Sequence, residues 1–457
     1  MTHSPTPHTI HEPARLVRVA REVDVCVLGG SCTGVFAAIR AARLGCRVAL
    51  IEKAGAFGGV ATLSMVNVWH SPFDTTYQKN IIAGLTTETI ARLDRRKAVT
   101  HRPNNPHWAW AFNPWELQIE LDEMVRDCPT ITPMLHTLLA APYVHDGKLA
   151  GVIVEDKSGR SAVLAKVLID ATGDGDLCHR LGVPTYQAHH LQPSTTCCML
   201  EGAKESLQQI LPKVVREHGH EVGLPEGFMW GAFLPGSSIY MLAGTRIYNQ
   251  DCSDAQQLTA AEIEGRRQVR AILDLLRKYE PEHAVSLQAL PARIGIRQTR
   301  HVKCHHQLTG EEVLYGHRFD DAIANGSYRV DVHHHDKPGI TLRYLDGTED
   351  YNRPGGGGHK GRWRDPLPEG QADPTFYQIP WRSMLPLGPF DNLVAAGRMI
   401  DADSQAHAAI RVMVNMNQTG EAAGVAAALS LDRNEPVNAL PVQAIRAALA
   451  SGGSVVI

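Results

Sequence analysis

The chain has 457 residues, 44% of them hydrophobic, which is enough to bury the cores of two or three domains. Its 45 Lys and Arg against 48 Asp and Glu leave a net charge of -3, and no basic stripe runs along it, so nucleic acid is not an expected partner. Apolar runs such as 23–30 and 138–142 fall far short of the roughly 20 residues that span a bilayer, and the segment 1–22 has no apolar signal core.

Residues 1–21 read as an N-terminal arm. The run VDVCVL at 23–28 then predicts a strand, followed by GGSCTG from Gly29 to Gly34 and a small-residue helix over 35–44. Such a strand-turn-helix unit is a dinucleotide-binding signature, because amides at a helix start can meet a diphosphate at close range. Gly29 permits the tight turn, and Gly34 lets the helix pack on the sheet. Ser31 stands where the usual pattern has its second glycine; its small hydroxyl can still fit and donate to phosphate. After the short strand 47–51, Glu52 lies 23 positions beyond Gly29, where an acid binds an adenosine ribose and disfavours a 2′-phosphate. The motif points to a flavin or a nicotinamide cofactor.

A second glycine turn, FGGVAT at 57–62, is small enough to lie against a ring system. Helical spacing of apolar residues predicts helices over 81–95 and 115–128, and the pattern then changes to short strands over 135–169, with a hairpin turning at 157–160. The run 167–170 feeds a third glycine motif, ATGDGD at 171–176. Residues 184–374 carry more Pro, His and charge, a long helix over 260–279, and the loop PGGGGH at 354–359, which reads as a surface connection rather than a lid. The end of the chain returns to nucleotide-binding style, with an apolar strand that ends in Gly397 and Arg398 and an alanine-rich helix over 420–429. The expected fold is therefore α/β: a Rossmann-like domain split in sequence (22–183 and 375–457) around an inserted α+β substrate domain at 184–374.

Nine cysteines without a C-x-x-C pair read as reduced thiols, so the expected compartment is cytoplasmic. Cys197 and Cys198 are adjacent, either redox-active or simply packed in a core. The 23 histidines include clusters at 189–190, 305–306 and 333–335, but none has the spacing beside an acid that marks a hydrolytic zinc site, and no metal is expected.

Taken in order, GGSCTG with Glu52 and Lys53, the 58–62 loop, the turn from Asp170 to Asp176, and Gly397-Arg398 followed by IRVM at 410–413 resemble the FAD-dependent oxidoreductase family. Its FAD domain is of the glutathione-reductase type, distantly similar to fumarate reductase flavoproteins and thioredoxin reductases. The resemblance implies FAD as cofactor. It implies that Gly29, Gly30, Ser31, Thr33 and Gly34 surround the pyrophosphate while Glu52 and Lys53 hold the adenosine end. Gly58, Gly59, Val60, Ala61 and Thr62 would lie along the flavin and ribityl chain. Ala171, Thr172, Gly173 and Asp174 would return near the adenosine side, Gly397 and Arg398 would meet the ribityl and phosphate, and Val412 and Met413 would face the pyrimidine edge. A helix start there carries about half a positive charge, which would stabilise an anionic reduced ring. Arg411 either adds a full charge or faces solvent.

The expected activity is dehydrogenation or reduction of a small polar metabolite by hydride transfer to or from flavin. This requires a side chain that moves a proton near neutral pH. His70 is the first candidate, followed by His333, His334 and His335. Arg293, Arg297 and Arg382 are candidates to clamp a carboxylate or polar group, or else to form salt bridges within the fold. The alternatives are a flavin-dependent monooxygenase and a non-catalytic flavoprotein that serves as a redox partner. The expected partners are a small-molecule substrate and an electron donor or acceptor, and a homo-oligomer is left open. No second nucleotide fingerprint is visible, which weighs against a pyridine-nucleotide disulfide reductase.

Overall fold

The computed structural model describes residues 9–101, 110–226, 228–353 and 357–457. Its seven-stranded sheet has a parallel centre, and the run 23–28 shows why: Val25, Cys26, Val27 and Leu28 are all buried, as a strand covered on both faces requires. Strand Arg18–Leu28 lies between Val48–Ile51 and Gly159–Asp170 and is parallel to both, with Ile131–Met134 next out. Residues 18–21, expected in an arm, therefore belong to this sheet.

Gly159–Asp170 divides its remaining edge between two partners. Its first half pairs antiparallel with Lys148–Asp156, whose hairpin partner is Leu138–His145, while Leu168, Ile169 and Asp170 pair in parallel with Leu393–Ala395. A strand from near the end of the chain thus completes a sheet begun near its start.

Helix Cys32–Arg43 is buried from Cys32 to Ala42 because the sheet and helix Met413–Arg433 enclose it. Gly420 and Gly424, one turn apart, face the carbonyls of Thr33 and Ala37 so closely that a Cβ on either would collide with backbone. Buried Arg40 and Glu421 pair across the crossing, and Glu421 also accepts from the Leu85 N–H at 3.1 Å and the Ser454 hydroxyl at 3.0 Å. The helix expected over 420–429 is longer than its alanine-rich part. Residues 408–413 do not lead straight into it: helix Ser404–Ile410 ends before Arg411, and the next begins at Met413.

The other expected helices are Leu85–Arg95, Pro114–Arg126 and Ala255–Tyr279. Asn113 caps the second and Asp254 the third through side-chain acceptors for their first amides. Helices Leu207–His218 and Ala255–Tyr279 pack Leu207, Leu211, Val269 and Ile272 with Leu200 and Leu242 of the antiparallel sheet that joins Trp230–Phe233, Tyr240–Ala243, Cys197–Glu201 and Ser286–Ala289. A further antiparallel sheet runs Val330–His333, Ile340–Arg343, Thr348–Asn352, His359–Arg362. The pair Ala322–Gly326 and Tyr377–Pro380 spans the expected boundary at 374. Of the glycine loop at 354–359, residues 354–356 lie outside the described residues. No helix among the described residues is long and apolar enough to cross a membrane.

Candidate active site

The turn at Gly29 is built by close backbone approach. Its φ is 101°, its N–H donates to the Ile51 carbonyl at 2.8 Å, and a Cβ there would strike the Ala171 carbonyl. Glu52, at the end of its strand, accepts from the Gly30 N–H at 2.6 Å and the Ala54 N–H at 2.9 Å, so the acid also fixes the loop. Asp170 does the same for the third glycine motif: it accepts from the Thr172 N–H (3.1 Å), the Thr172 hydroxyl (2.7 Å) and the Cys178 N–H (3.0 Å). Burial raises the Asp170 pKa, with those hydrogen bonds acting against it.

Two helices begin at this site without a side-chain cap or an acidic residue in the first turn: Cys32–Arg43 after Ser31, and Met413–Arg433 after Val412. Their first amides therefore lack the usual side-chain acceptor and leave a partial positive charge facing outward.

Three adjoining cavities lie along these elements. The outermost, about 130 Å³, is walled by Glu52, Lys53, Thr137, Thr172 and Arg293 among others. It shares Gly29, Glu52, Thr172 and Arg293 with a narrow middle cavity of about 50 Å³ that Ser31, Gly59, Ala171 and Gly173 also line. This in turn shares Val60, Ile296 and Arg398 with a large cavity of about 460 Å³, which reaches Val412 and Met413. An elongated dinucleotide with a diphosphate at its waist fits this series, since the middle cavity holds the uncapped turn at Ser31 together with two guanidinium groups.

The residues singled out in the sequence divide into two groups. Gly29, Ser31, Glu52, Lys53, Gly59, Val60, Ala171, Thr172, Gly173, Arg398, Arg411, Val412 and Met413 line the cavities. Gly30, Thr33, Gly34, Gly58, Ala61, Thr62, Asp174 and Gly397 are not among the lining residues, and several have evident internal work. Gly58 donates to the Gly30 carbonyl at 2.8 Å, Thr62 donates to the Phe57 carbonyl at 2.6 Å, and Gly397 donates to the Thr419 hydroxyl at 3.1 Å. Asp174 pairs with Arg398 and accepts from the Thr299 hydroxyl at 2.8 Å, so it orients the guanidinium that borders the middle and large cavities.

His70, Arg297 and His333 line the large cavity, whereas Arg293 lines the other two instead. Arg382 is an exposed partner of Asp321 at 2.9 Å. His334 meets the Thr341 hydroxyl at 2.7 Å, and the His335 ring stacks on His190 with centroids 3.3 Å apart. Cys197 and Cys198 are buried free thiols paired in register with Ala243 and Leu242, and burial pushes the Cys197 thiol up to about 12.

Asp331, absent from the sequence candidates, is a hub of the large cavity. It accepts from the Tyr328 hydroxyl at 2.9 Å and from Arg411 at 3.2 Å, and its other oxygen lies 3.4 Å from His333 Nε2. Burial alone would raise its pKa, but His333, Arg411 and Arg329 together hold it well below the usual carboxylate range. The alternation R-V-D-V-H over 329–333 was the available signal, because period two puts Arg329, Asp331 and His333 on one face, and all three line the cavity. Burial, with Arg297 and Arg246 adding to it and Asp331 opposing, pushes His333 down to about 3. That imidazole is neutral at ordinary pH. The His70 ring lies 4.2 Å from that of Tyr328.

This chain belongs to the FAD dependent oxidoreductase family, which matches it over residues 24–449. It is accordingly an FAD-dependent enzyme, with FAD as its cofactor. No curated protein matches it. Among solved structures it is similar to a geranylgeranyl bacteriochlorophyll reductase-like protein from Thermoplasma acidophilum, at 12% identity over 94% of this chain and 83% of that one, with a TM-score of 0.47. The myxobacterial chondrochloren halogenase CndH is also 12% identical, over 95% of this chain and 80% of that one, with a TM-score of 0.44. The p-nitrophenol 4-monooxygenase PnpA from Pseudomonas putida DLL-E4, again 12% identical, covers 63% of this chain and 70% of its own, with a TM-score of 0.40.

Proposed function

We propose that the enzyme dehydrogenates or reduces a small metabolite in the large cavity, with FAD held along all three. The observation that carries this reading is the shared wall: Glu52 and Arg293 border the outer and middle cavities, and Val60 and Arg398 the middle and large ones. On this reading Glu52 and Lys53 hold the adenosine end, and the amides after Ser31 with Arg293 hold the diphosphate. Val60, Arg398 and the helix start at Val412 and Met413 border the ring. Arg293 is then a cofactor residue rather than a substrate clamp. Residues 22–183 with 375–457 form the cofactor-binding part, and 184–374 supply the cap.

When bound, FAD supplies the two-electron chemistry. The chain's share is to hold the substrate, exclude water and carry the proton that leaves or joins the substrate oxygen or nitrogen. His70 is assigned that proton. His333, neutral and 3.4 Å from Asp331, is a poor base at physiological pH and positions polar groups instead.

Anaerobic titration of the FAD-loaded enzyme with candidate donors tests the reading. Bleaching of the flavin absorbance by a small metabolite, with loss of that reduction in His70→Ala but retained FAD, is the expected result. Reduction only by a partner protein, or substrate hydroxylation that consumes oxygen, would replace hydride transfer with one of the other two readings.

A further inference from the structure

The large cavity is lined by two unlike sets of residues. One is apolar: helix Leu207–His218 contributes Leu207 and Leu211, and residues 228–230 contribute Phe228, Met229 and Trp230. The other carries guanidinium groups. Arg297 and Arg411 line the cavity, and Arg246, fully buried, stands close enough to disturb Arg297.

These cations are fixed rather than adaptable. Arg246 donates to the carbonyls of Thr245 (2.7 Å) and Phe228, and Arg297 donates to the carbonyl of Pro193. Carbonyl partners hold a guanidinium in place without neutralising it. Asp331 is the carboxylate near this group, and Tyr328, His333 and Arg411 already engage it. Arg411 Nε is buried without a hydrogen-bond partner. Burial pushes Arg297 down to about 9, and the neighbouring Arg246 and Arg411 add to the shift against the opposing Asp331. An incoming anion would relieve that repulsion and find its donors preoriented, so little reorganisation would be needed on binding.

We propose that the substrate is an amphipathic acid, with a carboxylate head against Arg297 and Arg411 and an apolar body along Leu211, Phe228, Met229 and Trp230. This deepens the reading of the large cavity as the reaction site and rests on it.

The experiment is a titration of the FAD-loaded protein, followed by the change in flavin absorbance, with 3-phenylpropanoate, its neutral amide 3-phenylpropanamide, and acetate. The acid is expected to bind at least tenfold more tightly than the amide and than acetate. Arg297→Gln and Arg411→Gln should bring acid and amide within about threefold of each other, and Arg411→Lys should restore part of the gap. Equal binding of acid and amide overturns the anionic head, and equal binding of acid and acetate overturns the apolar body. A protein that takes up no FAD at all fails earlier, at the cofactor assignment, and flavin fluorescence of the filtrate reads that separately. Thermal unfolding of each variant shows whether it folds; should both glutamine variants unfold, the acid-amide-acetate comparison on the unaltered protein decides the matter alone.

Discussion

Ser31 departs from the usual three-glycine turn, and the structure compensates for it at Gly59. An added Cβ on Gly59 would sit 2.8 Å from the Ser31 Cβ, and Gly59 has φ 56°, so the loop at 58–62 supplies the space that Ser31 takes up. Gly59→Ala should therefore lower stability through left-handed strain of about 1–2 kcal/mol, together with the clash. Adding Ser31→Gly should recover the clash and leave the strain, which gives a coupling in the range of about 0.5–3 kcal/mol in a double-mutant cycle read by urea unfolding. Strictly additive effects would show that the two residues do not press on each other. The glycine positions were legible from the sequence because tight turns and close backbone approach impose constraints on neighbouring residues. Arg293 was not: which cavity a long guanidinium borders depends on where the distant loop at 293 meets strand ends at 29 and 52. His333 was legible as a polar residue at the site but not as a neutral one, because burial, with Arg297 and Arg246 from two other segments adding to it, sets its charge.

Between elements, the crossing of helices Cys32–Arg43 and Met413–Arg433 holds the two ends of the chain together. The slim alanine face of the first helix announced a close neighbour. Gly420 and Gly424 were not recognised as the matching face, because a small-x-x-x-small spacing carries no label for its partner several hundred residues away. Gly424→Ala gains helix propensity of about 1 kcal/mol in isolation. The new Cβ nevertheless meets the Ala37 backbone carbonyl, which cannot move without shifting the helix, so net destabilisation is expected. Glu421→Ala leaves Arg40 as a buried, uncompensated cation and should cost about 3–5 kcal/mol, read as a lower urea midpoint at unchanged slope. The double variant Arg40→Leu, Glu421→Leu removes both charges and should be closer to the unaltered protein than Glu421→Ala is. If it is worse, the pair contributes more than mutual neutralisation.

Across the whole molecule, acid should destabilise the fold earlier than carboxylate titration alone would. His301, His333 and His407 are buried, and burial depresses all three, with His333 at about 3. They sit where the parts of the chain meet: His407 Nε2 lies 3.2 Å from the Arg297 carbonyl, His301 Nδ1 lies 3.1 Å from the Ile400 carbonyl, and the rings are 4.6 Å apart. Below about pH 6.5 the unfolded chain takes up protons that the native imidazoles refuse, so the unfolded state binds more protons and stability falls as pH falls. A histidine that stays neutral in the folded state costs up to about 1.4 kcal/mol at pH 5.5. Raised carboxyls at Asp170 and Glu421 act in the opposite sense, because there the folded state holds the proton more tightly. The histidine share is therefore read by difference. Urea unfolding of the unaltered protein and of His407→Gln, each in excess FAD from pH 7.5 to 5.5, should show a shallower loss of stability in the variant, by up to about 1.4 kcal/mol at the acid end. Parallel curves would mean that His407 accepts its proton in the folded state, and the buried contact between helix Ser404–Ile410 and the segment at Arg297 would then have to be open to water.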